Sequence, residues 1–391
     1  TLADVADLSD NPQLVRFEYT LRDDGRLILA DEAWFEVGSA TQSTPLEASY
    51  DFSYDNLGRL TDEVFDHWDD TLDYHDSFTY DPVGNRVQKS RDALSDGTVD
   101  TRSSFRFDSN DRLIDERSYD AADQVQSQTT HAYHYTQSTG YTATHQPHSD
   151  RPRSLLDHTY TYDLQGRLHT ATVTHYNDSG AASSITRSSY DYDHTGIRIS
   201  ALNELDNDAD GSFETRTQLE YLVDHHNHTG YQQVIRESHY DADTGLLLKT
   251  IDLTYGHDEL HQTTTDYDSS GNITATVRHH FLHDGKSSVR SLLAATTEAA
   301  ATLSLLQLYH YTAYGQLHAL HAATGQQLDA AAALTNLLYN GEQFDSLTQQ
   351  QYLRARYYNP ATAHFNRLDP FFGNPHDARE YCVGNYCGSP H

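Results

Sequence analysis

Along most of the 391 residues the apolar positions alternate with polar ones, and the alternation recurs in short packets. A packet reads aromatic, any residue, aromatic, Asp, two spacers, Gly, Arg or Asn, then an aliphatic residue. It is nearly intact in Phe52-Ser-Tyr54-Asp55-Asn-Leu-Gly58-Arg59-Leu60, in Phe78-Thr-Tyr80-Asp81-Pro-Val-Gly84-Asn85-Arg86-Val87, and in Tyr160-Thr-Tyr162-Asp163-Leu-Gln-Gly166-Arg167-Leu168. Weaker copies begin at Phe17, Phe105, Tyr190, Asp266 and Tyr309. The turn glycines fall at 25, 58, 84, 166, 196 and 271, with Asp111 in one glycine slot, and adjacent copies lie 33, 26, 27 and 30 residues apart. Spacings of this size mark a repeat array, in which each unit is one supersecondary element.

Aromatics at i and i+2 project from one face of an extended strand. The Asp accepts from backbone ahead of it and starts a turn, Gly supplies a positive φ, and the aliphatic residue opens the return strand. Each packet therefore predicts a β-hairpin with one Tyr/Phe/Leu face. A lone hairpin is marginal in water, so about ten of them must pair edge to edge. The predicted fold class is all-β, a long antiparallel sheet of repeated hairpins that has to curl. The Ala- and Leu-rich run Ser291–Gln307 is the one stretch whose composition favours a helix. From Leu334 onward the periodic pattern gives way to a denser sequence.

Charge narrows the partners. With 58 acidic and 26 basic side chains the formal charge is −32, which repels phosphate backbones and anionic lipids and so excludes a nucleic-acid binder. Full protonation of the 25 histidines would bring −32 to −7, so the surrounding field depends on pH near the histidine reference value of about 6.5. No run reaches the roughly 20 apolar residues of a membrane-spanning segment. The start at Thr1 is expected to belong to an internal or processed piece of a longer chain. Cys382 and Cys387 are too few to staple the fold and lack a second pair for a zinc site.

These residues resemble the YD-repeat proteins of the Rhs type, similar to the C components of ABC-type toxin complexes and, more distantly, to teneurins. The Tyr-Asp…Gly-Arg units are one half of the resemblance. The other half is C-terminal: Tyr339-Asn-Gly-Glu-Gln-Phe-Asp345, Tyr352-Leu-Arg-Ala-Arg-Tyr-Tyr-Asn-Pro360 and Phe365-Asn-Arg-Leu-Asp-Pro370 resemble the Rhs-associated core, with Phe281–Arg290 and Tyr309–Gly315 as its lead-in. The resemblance implies a hairpin array over 1–280 that spirals into a hollow shell, and a core region over 281–391 that plugs one end. In many relatives the shell encloses a toxic C-terminal domain that the core severs by aspartate-dependent self-cleavage. Asp369-Pro370 matches the first core element, and a second Asp-Pro element is absent before His391.

Candidate chemistry is sparse. Asp369 is the candidate catalytic residue, for self-cleavage alone, and Asp377 is the nearest carboxylate that could share a proton with it. Arg354, Arg356 and Arg367 are expected to make buried structural pairs. Asp206, Asp208, Asp210, Ser212 and Glu214 follow the first part of a calcium loop, with Gly211 at the bend, although position 12 is Thr217 where a bidentate Glu belongs. Asp92-Ala-Leu-Ser-Asp96-Gly97-Thr-Val-Asp100 reads as a more degraded copy. The histidines of 225–228 and 279–283 alternate across a strand and do not converge within either run. No phosphate loop, dinucleotide fingerprint, nucleophile elbow or His-Glu-x-x-His motif occurs.

The expected function is an extracellular or cell-surface shell segment of a larger protein, partnered by its own C-terminal cargo domain or by neighbouring subunits, with calcium as the one expected cofactor. The alternative is a structural or adhesive surface protein without cargo. An enzymatic role is expected only as self-cleavage.

Overall fold

The structure, a computed structural model, describes residues 15–35, 45–136, 139–147, 156–177, 179–295 and 303–366. These residues form 27 β-strands and three single 3-10 turns, with no α-helix among them. The predicted all-β class of repeated antiparallel hairpins is what the chain adopts.

Two compact units are present, each assembled from separated stretches. The first gathers residues 1–104, 119–124 and 279–341. In it the strands Val15–Leu21, Leu27–Trp34, Leu46–Tyr54, Leu60–His67, Tyr74–Tyr80 and Arg86–Ala93 pair antiparallel in sequence order. A second run pairs His279–His283 with Val289–Ala295, then Leu303–Tyr311, Leu317–Ala322 and Gln327–Leu328. Trp34, Tyr50, Phe65 and Tyr74 from the first run share a core with Leu293, Leu305 and Leu308 from the second.

The second unit gathers 105–118, 125–278 and 342–391. Consecutive antiparallel pairing runs from Val125–Thr136 to Glu259–Tyr267. Residues Gln343–Phe365 add a separate four-stranded sheet. The sequence boundary at 280/281 is one of pattern, whereas the spatial grouping divides the C-terminal region at Gly341/Glu342.

The repeat turn is the same structure wherever the pattern is intact. At Asp55 the Gly58 N–H donates to the Asp55 carbonyl (2.9 Å) and the Asp55 N–H to the Arg59 carbonyl (2.9 Å). The Asp55 Oδ1 accepts from the N–H groups of Leu57 and Arg59, both at 2.9 Å, and Oδ2 takes Arg59 Nε at 2.7 Å. Asp81, Asp108, Asp163 and Asp268 repeat the scheme, with Asn85 and Asn272 replacing the arginine in two of them. Gly58 takes φ +77°, and Asp111, in its glycine slot, takes φ +55°, a conformation Asp tolerates better than most residues. Tyr54 pairs with Leu60 while Ser53 pairs with Asp62, so each turn carries a bulge that increases twist.

Successive repeats are coupled through Tyr and Arg. Tyr54 donates to the Leu27 carbonyl (2.8 Å), Tyr192 to Leu168 (2.7 Å) and Tyr311 to Val289 (2.7 Å), each the opening residue of an earlier return strand. Arg59 and Arg167 donate forward to the carbonyls of Asp81 (3.0 Å) and Asp193 (3.1 Å). Their guanidinium carbons sit 4.9 Å from the Tyr80 ring centre and 4.8 Å from that of Tyr192.

Two expectations change. In the Asp81 copy the inward residue of the return strand is Arg86, not Val87, because Tyr80 pairs with Arg86 in the register Leu60 holds elsewhere, and in the Asp193 copy Arg198, paired with Tyr192, holds the same place. The helix expected within Ser291–Gln307 is not formed over its described part. Val289–Ala295 and Leu303–Tyr311 are strands whose buried faces fill the core, and burial between neighbouring strands outweighs an Ala/Leu preference worth tenths of a kcal/mol per residue.

Candidate functional site

The calcium-like loop caps the hairpin from Arg198–Asp206 to Thr215–Asp224. Asp206 is fully buried, and its oxygens accept from the N–H groups of Asp210 (3.3 Å) and Gly211 (2.9 Å). Asp210 accepts from Ser212 N–H (2.7 Å), and Glu214 from Asn207 N–H (2.8 Å). Carboxylate oxygens of Asp206, Asp208, Asp210 and Glu214 lie within 4.8 Å of one another, an oxygen-only set suited to a hard cation. The loop at Asp92 repeats these bonds: Asp92 accepts from Asp96 (3.0 Å) and Gly97 (2.8 Å), Asp96 from Thr98 (2.9 Å), and Asp100 from Ala93 (2.7 Å). Three acids in each loop are thus explained by backbone capping. Asp208 accepts only a long contact from the Asp210 N–H (3.3 Å), which Asp206 shares, and Leu94 stands in its place in the Asp92 loop.

A buried charge cluster lies in the first unit. Arg290 and Glu32, 5% and 3% exposed, form an ion pair, and Arg290 also donates to the Tyr309 carbonyl (2.9 Å) with Asp284 at 3.5 Å. Burial pushes the Glu32 carboxyl up to about 7, against the pull of Arg290. Lys286 is held below the ordinary lysine range, again by burial. These groups line a cavity of about 40 Å³ with Tyr19, Phe52 and Tyr339. Small-molecule sites start at roughly 300 Å³, so this space suits ordered water. Arg290, Glu32 and Asp284 are paired and serve packing, and the Lys286 ammonium lies 5.9 Å from the Phe52 ring centre.

Next to it, Glu63 and Asp76 face each other as register partners, both buried. Arg91 Nε (2.7 Å) and Lys89 Nζ (2.8 Å) hold Asp76 ionised against the cost of its burial. Glu63 accepts from Tyr74 (2.8 Å) and from the Ala313 N–H (2.7 Å), and burial, reinforced by Asp76, raises its carboxyl to about 7.

The C-terminal sheet is clamped onto the tyrosine face of the second unit around Arg198. Arg198, 5% exposed, donates to Tyr357 Oη (3.0 Å) and Gln343 Oε1 (2.7 Å), lies 3.7 Å from Asp345, and stacks 4.3 Å from the Tyr352 ring centre. Its backbone N–H donates to Tyr352 Oη (2.9 Å), and Tyr190 donates to Asp345 (2.7 Å). Arg354 pairs with Glu342 (2.7 Å) and Arg356 stacks on Phe365 at 3.6 Å, as structural arginines.

Asp369 and Asp377, with Arg367, Cys382 and Cys387, lie outside the described residues. Within 225–228, His225 turns to Asp193 (3.4 Å). The histidines that do converge come from three separate strands, His67, His310 and His321. A signal for two of them exists: with the turn at Thr312–Gln316, His310 pairs with Ala319 and Leu308 with His321, which puts both histidines on one face.

No helix among the described residues is long and apolar enough to cross a membrane. No family model matches the chain, and no curated protein matches it. Among solved structures, the chain is similar to the toxin-complex structure described as TcdB2-TccC3-TEV, at 15% identity and a TM-score of 0.40 over 91% of this chain and 19% of that one. A second TcdB2-TccC3 structure gives 14% identity, a TM-score of 0.40, and 90% and 21% coverage. A porin-like protein from Bacteroides uniformis is similar at 11% identity and a TM-score of 0.29, over 57% of this chain and 87% of that one. The chain spans about a fifth of the toxin-complex chains it matches.

Proposed function

We propose that this chain is a YD-repeat scaffold of the Rhs type, an extracellular or cell-surface shell segment that encloses or presents a C-terminal cargo. The observation that carries the reading is the Arg198 clamp. It seats Gln343–Phe365, which contains the core-like Tyr352–Tyr358 motif, on the tyrosine face of the hairpin array. A scaffold that only paired hairpins would have no need of a dedicated C-terminal sheet fixed by a buried cation. The partners of this reading are the chain's own cargo and neighbouring subunits, and the loop at Asp206–Glu214 is the place for calcium.

Protease protection tests it. An unfolded reporter peptide fused after His391 is expected to resist trypsin under native conditions, while the same peptide fused before Thr1 is cut. Equal cutting at both ends overturns enclosure and favours the adhesive alternative.

A further inference from the structure

His67 ends the strand Leu60–His67, His310 lies in Leu303–Tyr311 and His321 in Leu317–Ala322, all within the first unit. Their exposures are 2%, 0% and 0%. The ring centres form a near-equilateral triangle, 5.0 Å from His67 to His310, 4.9 Å from His67 to His321 and 5.4 Å from His310 to His321. Three imidazole nitrogens at about 2.0–2.1 Å from one tetrahedral ion place their ring centres about 5 Å apart. One nitrogen from each ring lies within 4.8 Å of the others, so small rotamer adjustments close the set.

Five of the six ring nitrogens have no hydrogen-bond partner. His67 Nε2 and both nitrogens of His310 and of His321 are buried without a hydrogen bond. Buried polar groups are nearly always satisfied, and five orphans in one place call for an explanation. The walls do not supply one: Trp68 lies 3.6, 5.2 and 5.0 Å from the three rings, Trp34 is 5.0 Å from His310, and the Trp34 N–H is committed to Ser291 (2.9 Å). The nearby His318 is held by the Leu72 carbonyl at 2.9 Å.

We propose that His67, His310 and His321 form a structural site for a late divalent transition metal of the zinc class, tying the hairpin of residues 303–322 to the strand Leu60–His67. Three neutral imidazoles without a carboxylate select such ions over calcium or magnesium. Burial keeps the rings neutral, and so ready to ligate, near pH 7. The Asp69 N–H donates to His67 Nδ1 (3.0 Å), which orients that ring and places its proton on Nε2. Ligation at Nε2 by the neutral ring moves this proton to Nδ1 and gives up the Asp69 contact, so the imidazole stays neutral and no proton is lost from it. The fourth position is left to water or to Asp69, whose charge is felt at both His67 and His321.

The test is titration of chelator-stripped full chain with Zn2+ and Co2+. One equivalent of Zn2+ is expected to raise the melting temperature, and one equivalent of Co2+ to give visible d–d absorption of a low-coordinate ion. His310→Phe and His321→Phe keep the aromatic volume and remove the nitrogens, so both are expected to lose the Co2+ spectrum while the exposed His225–His228 run remains. Wild-type chain without a one-equivalent spectrum or Zn2+ stabilisation overturns the site, and that measurement needs no variant to fold. An unchanged spectrum in either variant overturns it equally, because the ion would then be bound elsewhere.

Discussion

The guanidinium of Arg167 lies 4.8 Å from the centre of the Tyr192 ring and also donates to the carbonyl of Asp193, 26 residues ahead. Tyr192 in turn reaches back to Leu168 at 2.7 Å. The repeat motif is therefore a coupling device as well as a turn: Asp and Gly make the hairpin, while Arg and Tyr hold it to the next one. Tyr192→Phe, which leaves a carbonyl unpaired, is expected to cost about 1–2 kcal/mol. A double-mutant cycle of Arg167→Gln with Tyr192→Leu is expected to show about 0.5–1 kcal/mol of coupling in urea unfolding. Strict additivity would mean that the stack contributes nothing between repeats.

Arg198 occupies the aliphatic slot of its repeat and has been turned into the clamp for the C-terminal sheet. Removing it by Arg198→Met leaves Asp345 and the Gln343 amide in a buried environment without their cation. Breaking a buried pair from one side costs about 3–5 kcal/mol. The loss should be local, so cleavage within 342–366 under native limited proteolysis is expected to accelerate well before the repeat array unfolds. Unchanged protection of that segment would show that the tyrosine packing holds the sheet alone.

Glu63 provides a pH signature. Its folded pKa of about 7 lies above the unfolded value of about 4.3, so between those values the native state holds a proton that the unfolded chain has released. The stabilisation is fully present below the unfolded pKa and is lost as pH rises through 7. Glu63→Gln keeps the shape of the protonated acid at every pH. Its melting temperature relative to wild type is expected to rise from pH 5 to pH 8, and a difference independent of pH would place an ionised Glu63 in the fold throughout.

The hairpins were legible because the motif encodes them twice, in the period-two aromatics and in the Asp and Gly of the turn. Asp111 shows how far that code reaches, since its φ of +55° matches its glycine slot. What alternation does not reveal is which side of a polar-rich strand turns inward. On Leu60–His67 the buried residues are Glu63, Phe65 and His67, so a carboxylate and a ligand-type imidazole share the face of a phenylalanine. Their partners, Asp76 on the next strand and Ala313, His310 and His321 from far along the chain, come from pairing that no local pattern announces. The acidic loop was legible as a cluster, but the capping role of three of its carboxylates appears only in the hydrogen bonds.

That division of labour makes Asp208 the discriminating residue for calcium. The loop at Asp92 keeps the bonds to its other three acids with Leu94 at the equivalent place, and an Asn at 208 retains an oxygen for the Asp210 N–H, so Asp208→Asn is expected to leave the calcium-free melting temperature within about 1 °C of wild type. Asp206→Asn, which disturbs the acceptor for Asp210 and Gly211, is expected to lower it by several degrees in the absence of any ion. Millimolar Ca2+ binding only the native state must raise the wild-type melting temperature, in proportion to the logarithm of its concentration above the dissociation constant. Asp208→Asn should blunt that response, because affinity follows the number of charged oxygen ligands. A wild-type melt indifferent to Ca2+ and to its chelation would leave all four acids with the capping and surface roles that their hydrogen bonds already describe.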